Sequence, residues 1–153
     1  MKRFLAVAVL TVAAFAFPTS AFAQSGHFVG TQRCSDTGTT VTCTGKVAGL
    51  GGTTFTILVS APGTADVTCT NPAGNVAPGQ RFSFTASGQS GPFPTPRNGQ
   101  SAYTVSTNAP AAPPGSCPNP QWTATVTDVQ FTTATITLLE DGSVSDTVTV
   151  PVT

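Results

Sequence analysis

Apolar and polar residues alternate with a period of two along most of this chain, and that alternation limits the fold more than any other feature. Val41, Cys43 and Val47 fall on one face, with Thr40, Thr42, Thr44 and Lys46 on the other. Phe55, Ile57 and Val59 oppose Thr54 and Thr56, and Ala65, Val67 and Cys69 oppose Asp66 and Thr68. Phe82, Phe84 and Ala86 oppose Arg81, Ser83 and Thr85, which assigns Phe84 to the core face of a central strand. Trp122, Ala124 and Val126 oppose Thr123, Thr125 and Thr127, a phase that sends Trp122 into the core. Ala134, Ile136 and Leu138 oppose Thr133, Thr135 and Thr137. Successive strand side chains point to opposite faces, so each run predicts a strand with one buried and one wet face. No sustained helical period occurs after the first 23 residues.

Threonine makes up roughly a fifth of the chain beyond residue 23, far above ordinary usage of one residue type. Its β-branch favours extended backbone and its hydroxyl suits the wet face of a sheet. Gly49-Leu50-Gly51-Gly52 and Pro62-Gly63 read as turns separating early strands. Glu140-Asp141-Gly142-Ser143 reads as a hairpin turn with Asp-Gly at its tip. The pattern predicts an all-β fold, an immunoglobulin-like β-sandwich of seven to eight strands, with a small β-barrel as the alternative.

Two places break the phase. Val129 and Phe131 fall on odd positions, so a bulge or a change of sheet is expected at Asp128. Asp146 lies in phase with Val144, Val148 and Val150 and reads as an inward charge near the rim of an edge strand.

The N-terminus carries Lys2 and Arg3, an apolar run from Phe4 to Phe17, Pro18, and then Ala21-Phe22-Ala23. A short basic segment, an apolar stretch and a small-x-small site form a secretory signal peptide, with cleavage expected after Ala23. The apolar run is short for a membrane span. Residues 1–23 are therefore the expected signal, 24–38 an N-terminal segment and first turn, and 39–153 a single β-sandwich domain. The destination is secreted or periplasmic, with no membrane insertion after cleavage.

Beyond residue 23 the cations are Arg33, Lys46, Arg81 and Arg97, against Asp36, Asp66, Asp128, Glu140, Asp141 and Asp146, a formal charge of about −2. No basic patch exists for nucleic acid or for an anionic membrane surface. Cys34, Cys43, Cys69 and Cys117 form an even set in an exported chain, which reads as two disulfides. Of three connectivities, Cys34–Cys43 and Cys69–Cys117 are favoured. The first pair flanks the turn-forming Ser35-Asp36-Thr37-Gly38, and the second ties a strand end to a Pro-rich loop.

Two long loops are expected. One spans 87–100 and contains Pro92-Phe93-Pro94-Thr95-Pro96-Arg97; the other spans 108–121 and holds Pro110, Pro113, Pro114, Pro118 and Pro120. Proline stiffens such loops, and stiff loops on a sandwich make binding surfaces. The candidate binding residues are Phe93, Arg97 and Tyr103. The alternative use of 92–97, as a ligand for an SH3-type domain, fits an exported chain poorly.

Catalysis lacks its parts. His27, the only histidine, falls in an expected frayed tail, and no Gly-x-Ser-x-Gly elbow or phosphate loop occurs. Glu140 and Asp141 are neighbours in a turn and do not face each other across a cleft. Asp128, Asp141 and Asp146 lack calcium-ligand spacing, and the cysteines match no zinc pattern. No enzyme activity, cofactor or metal is expected.

Cys43-Thr44-Gly45-Lys46-Val47-Ala48-Gly49-Leu50-Gly51, Cys69-Thr70-Asn71-Pro72-Ala73-Gly74-Asn75, Cys117-Pro118-Asn119-Pro120-Gln121-Trp122 and Thr127-Asp128-Val129-Gln130-Phe131-Thr132 together resemble a group of small secreted bacterial proteins. The resemblance covers most of the chain between Val41 and Leu139. It implies export and an all-β fold, and carries no activity with it. Two functions fit the chain: an exported structural or interaction module contacting an unidentified protein or cell-surface component, or a small-ligand or glycan-binding module. A concavity shared by exposed Phe93 and Tyr103 favours the second; a flat, Thr-covered surface favours the first.

Overall fold

The computed structural model describes residues 25–153, so the expected signal peptide and the expected first mature residue, Gln24, lie outside the described residues. Among the described residues nine strands and no helix form. They are β1 (His27–Asp36), β2 (Val41–Ala48), β3 (Thr54–Thr70), β4 (Val76–Pro78), β5 (Phe82–Pro94), β6 (Ser101–Ser106), β7 (Thr123–Phe131), β8 (Thr133–Glu140) and β9 (Ser143–Pro151). One sheet has the order β1-β2-β6; the other is built around β3. The result is a β-sandwich whose sheets do not close into a barrel.

The strand β3 organises the larger sheet. Along one flank it pairs with β5 over Thr54–Ala65 and with β4 over Thr68–Thr70. Along the other it pairs with β8 over Phe55–Ser60 and with β7 over Gly63–Thr70, and β9 lies outside β8. Strands β4 and β5 lie in line, as do β7 and β8, so nine strands fill seven columns.

Pro62-Gly63 does not separate two strands as expected; β3 runs straight through it. Pro62 lies between the last β8 pairing, at Ser60, and the first β7 pairing, at Gly63. On that flank no ladder bond is required of a residue that has no N–H. The expected loop over 87–100 is likewise mostly strand, because β5 continues to Pro94. His27 is not frayed: it opens β1, opposite Ala48 of β2.

The core is drawn from both sheets. Val41, Cys43, Val47, Tyr103 and Val105 come from the smaller sheet; Phe55, Ile57, Val59, Val129, Ala134, Ile136 and Leu138 come from the larger. These are the inward phases expected for β2, β3 and β8. The outer faces carry the threonines, with hydroxyl contacts such as Thr135 to Thr149 at 3.2 Å and Thr42 to Ser106 at 2.8 Å.

The bulge expected at Asp128 is present: Asp66 opposes Asp128 while Val67 opposes Val126. Its neighbour Val129 donates its N–H to Gly38 O in the β1–β2 turn at 2.8 Å, joining the two sheets. Two carboxylates thus stand opposite each other, and Arg81 forms an ion pair with Asp66.

Phe84 is only partly buried, packed against the core from β5, and β5 pairs with β3 alone. Trp122 is outside the core altogether. The β3–β7 ladder ends at the Thr70–Thr123 pair, so residue 122 lies past the sheet, where Trp122 is half-buried beside the Pro-rich loop.

Candidate functional site

Both expected disulfides form. Cys34 and Cys43 are direct cross-strand partners in the β1–β2 hairpin, with Cα atoms 4.1 Å apart, and Cys69–Cys117 ties the end of β3 to the Pro-rich loop. The sulfurs are consumed structurally, and no described cysteine is free.

Three of the acidic residues, Glu140, Asp141 and Asp146, gather around the β8–β9 hairpin. Glu140 continues the Ala134, Ile136, Leu138 phase by two more residues, so its side chain enters the interior, where it is 0% exposed. A buried carboxylate is costly unless hydrogen bonds replace its water. Here Oε1 accepts from the N–H of Gly51 at 2.7 Å and of Gly52 at 3.1 Å, and Oε2 accepts from Gly26 N–H at 2.9 Å and from the Ser145 hydroxyl. Burial pushes its pKa up, but these donors together outweigh burial, so the carboxyl titrates below its ordinary value. Gly26 is required for this approach: a Cβ there would sit 2.6 Å from Oε2.

Asp141 points the other way. It and Gly142 take φ of 47° and 82°, the left-handed pair of a two-residue hairpin tip, as Asp-Gly leads one to expect. Its carboxylate accepts from the hydroxyl and N–H of Thr53 and from the N–H and hydroxyl of Thr54. The Thr53 hydroxyl, then these backbone donors, lower its pKa to about 2.

Asp146 faces inward near the rim, as expected, and accepts the Phe28 N–H at 2.8 Å. Val144 does not share its phase. A bulge places Leu138 opposite Asp146 but Leu139 opposite Val144, so Val144 is 66% exposed and Ser145 turns toward Glu140. The three carboxylates therefore clamp the N-terminal strand, the β2–β3 loop and the β8–β9 hairpin together. Each is occupied as an acceptor of backbone or hydroxyl hydrogens. Glu140 was detectable in the sequence by extending the strand phase; its donors were not, since Gly26 is 114 residues away.

The candidate binding residues are not brought together. Tyr103 is 6% exposed on the inner face of β6, donates its hydroxyl to Gln32 Oε1 at 2.7 Å, and meets the edge of Phe28 at 5.9 Å. Burial raises its pKa to about 12. Phe93 is 43% exposed and leans on Phe55, with ring centroids 5.6 Å apart, and Arg97 is exposed in the following loop. Tyr103 and Phe93 therefore share no open platform.

The Pro-rich loop lies elsewhere and is strongly fixed. Cys117 anchors it to β3, Ser116 O accepts Gln80 N–H at 2.8 Å, and Asn108 N–H reaches Ser87 O at 2.9 Å. A turn then closes from Trp122 N–H to Asn119 O at 3.0 Å. Pro113, Pro114, Asn119, Pro120 and Trp122 line a concavity of about 470 Å³ there. The sequence pointed to this loop but placed its tryptophan in the core.

Among the described residues no three of His, Cys, Asp and Glu converge as a metal site, and no helix is long and apolar enough to cross a membrane. No protein-family model matches the chain, and neither a curated protein nor a solved structure does.

Proposed function

We propose that this chain is an exported, non-catalytic interaction module: a disulfide-stabilised sandwich that offers rigid loops to a protein or cell-surface component. The observation that carries the reading is the occupation of its acids. Glu140, Asp141 and Asp146 accept hydrogen bonds that hold three chain segments together. A general acid or base needs a carboxyl poised near the working pH and within reach of a substrate proton. Glu140 and Asp141 are held below their ordinary values, and Glu140 is closed to solvent.

Export is supported by the signal-like N-terminus together with two disulfides, which persist in oxidising compartments. The resemblance to small secreted bacterial proteins and an immunoglobulin-like variant of the sandwich both agree with this reading. Binding of the labelled, oxidised protein to envelope preparations of the producing cells tests it. Saturable binding that survives His27→Ala and Asp146→Ala is expected. Turnover on a hydrolase substrate panel that disappears with His27→Ala in a folded protein overturns it.

A further inference from the structure

We propose that the concavity beside Trp122 is a binding site for a neutral saccharide. This rests on the non-catalytic binding reading and assigns that function a place and a ligand class. Trp122 is the only tryptophan in the chain, and it stands at the mouth of β7 outside the core. Trp122 is half-buried, and the part of its ring left open is apolar surface that a flat apolar ligand face can cover. Pyranose rings present such a face through their C–H groups while keeping hydroxyls at the rim.

The surroundings select for that chemistry. No Asp, Glu, Lys or Arg occurs anywhere in residues 98–127, so the site has no charge with which to hold an ionic ligand. Polar donors are nevertheless present. Asn119 Oδ1 accepts Gln121 N–H at 2.9 Å, while its NH₂ has no partner among the described residues. The Trp122 indole N–H also lacks one, and it is not a buried orphan. These groups match the neutral hydroxyls of a sugar.

The walls count against an extended peptide. Pro113, Pro114 and Pro120 have no N–H, so this rim cannot add a strand by main-chain pairing. Recognition of a polyproline segment uses an aromatic-lined groove, and only one aromatic lines this concavity. The volume, about 470 Å³, lies within the range of small-molecule sites. The disulfide at Cys117 and the Ser116–Gln80 bond hold the loop before any ligand arrives, which lowers the ordering cost of binding.

A lone tryptophan makes the test direct, because the protein's tryptophan emission comes from this site. The full oxidised protein is titrated with neutral gluco-, xylo-, manno- and chito-oligosaccharides, with oligouronates as charged comparators. The expected result is a saturable shift in Trp122 emission with one neutral series, unchanged between low and high salt. Trp122→Ala, followed by calorimetry, should weaken binding about tenfold or more, the scale of one lost aromatic stacking contact. Trp122→Phe, which keeps a ring, should retain most of it, and both variants should remain folded by circular dichroism. Silence across the neutral series, preference for oligouronates, or binding untouched by Trp122→Ala overturns the saccharide site. Capture of a Pro-rich peptide in place of any sugar overturns it too. None of these results bears on envelope binding, so a failed saccharide site and a failed interaction module are told apart.

Discussion

Replacing Glu140 by glutamine separates the role of its charge from that of its shape. The side chains are nearly isosteric, so no cavity opens. Glutamine keeps one carbonyl oxygen, but its NH₂ must face either the Gly51 and Gly52 amides or the Gly26 amide and Ser145 hydroxyl. With the NH₂ toward Ser145, whose hydroxyl oxygen can accept from it, the Gly26 N–H loses its acceptor and meets a donor. A hydrogen bond to a charged group contributes about 1.5–3 kcal/mol; one is lost outright and the others lose their charge assistance, so the expected cost is about 3–4 kcal/mol. That is a large part of a stability of about 5–15 kcal/mol, and it corresponds to a melting point lower by about 10 °C. The assay is thermal and urea unfolding followed by circular dichroism at neutral pH. Val144→Ala, on the exposed outer face, is the control and should stay within about 0.5 kcal/mol. The acid dependence follows from the lowered pKa of Glu140. Its stabilisation is fully present above the unfolded carboxyl value and is lost as pH falls through the folded one. The gap between wild type and Glu140→Gln should therefore close in acid. The flanking Asp141, whose folded pKa is about 2, loses its own contribution over the same descent, in both proteins alike. A Glu140→Gln protein within about 1 kcal/mol of wild type at neutral pH would refute the account of how this end of the sandwich is held.

Three further outcomes are expected. The single tyrosine should titrate at about 12 in the folded protein, and stability should fall as pH rises from the ordinary phenol value of 10.0 toward it, because the unfolded chain releases its proton first; an absorbance midpoint near 10.0 would contradict the burial of Tyr103. Ile136→Ala should cost about 3–4 kcal/mol and Phe84→Ala only about 1–2, because Ile136 is fully enclosed and Phe84 only partly so; equal losses in urea unfolding would count against that ranking. Mass spectrometry of the exported protein should find a chain that begins at Gln24 and lacks residues 1–23, and intact Met1 in that fraction would remove the signal-peptide reading.

The strand phases, the Asp-Gly hairpin, the bulge at Asp128 and the Cys34–Cys43 pairing were legible in the sequence because each rests on local chemistry, and Cys69–Cys117, 48 residues apart, is the pair that this one leaves. Side-chain alternation, left-handed turn residues and a short cysteine spacing act over a few neighbouring positions. What only the tertiary structure decided was which apolar residues the second layer covers and which polar ones it encloses. Phe84 and Trp122 carry the same inward phase as true core residues, yet β5 has a partner on one side only and the β7 ladder stops at Thr123. Tyr103 looked like a binding aromatic until Gln32, 71 residues earlier, accepted its hydroxyl inside the sandwich. Pro62-Gly63 has the composition of a turn, and becomes strand because the neighbouring column changes from β8 to β7 beside it. Glu140 lies on an inward phase that favours apolar residues, and its burial is tolerable only because glycine amides from two distant segments converge on it. Burial is a property of neighbours brought together by the whole fold, and local periodicity determines only the direction in which a side chain leaves its strand.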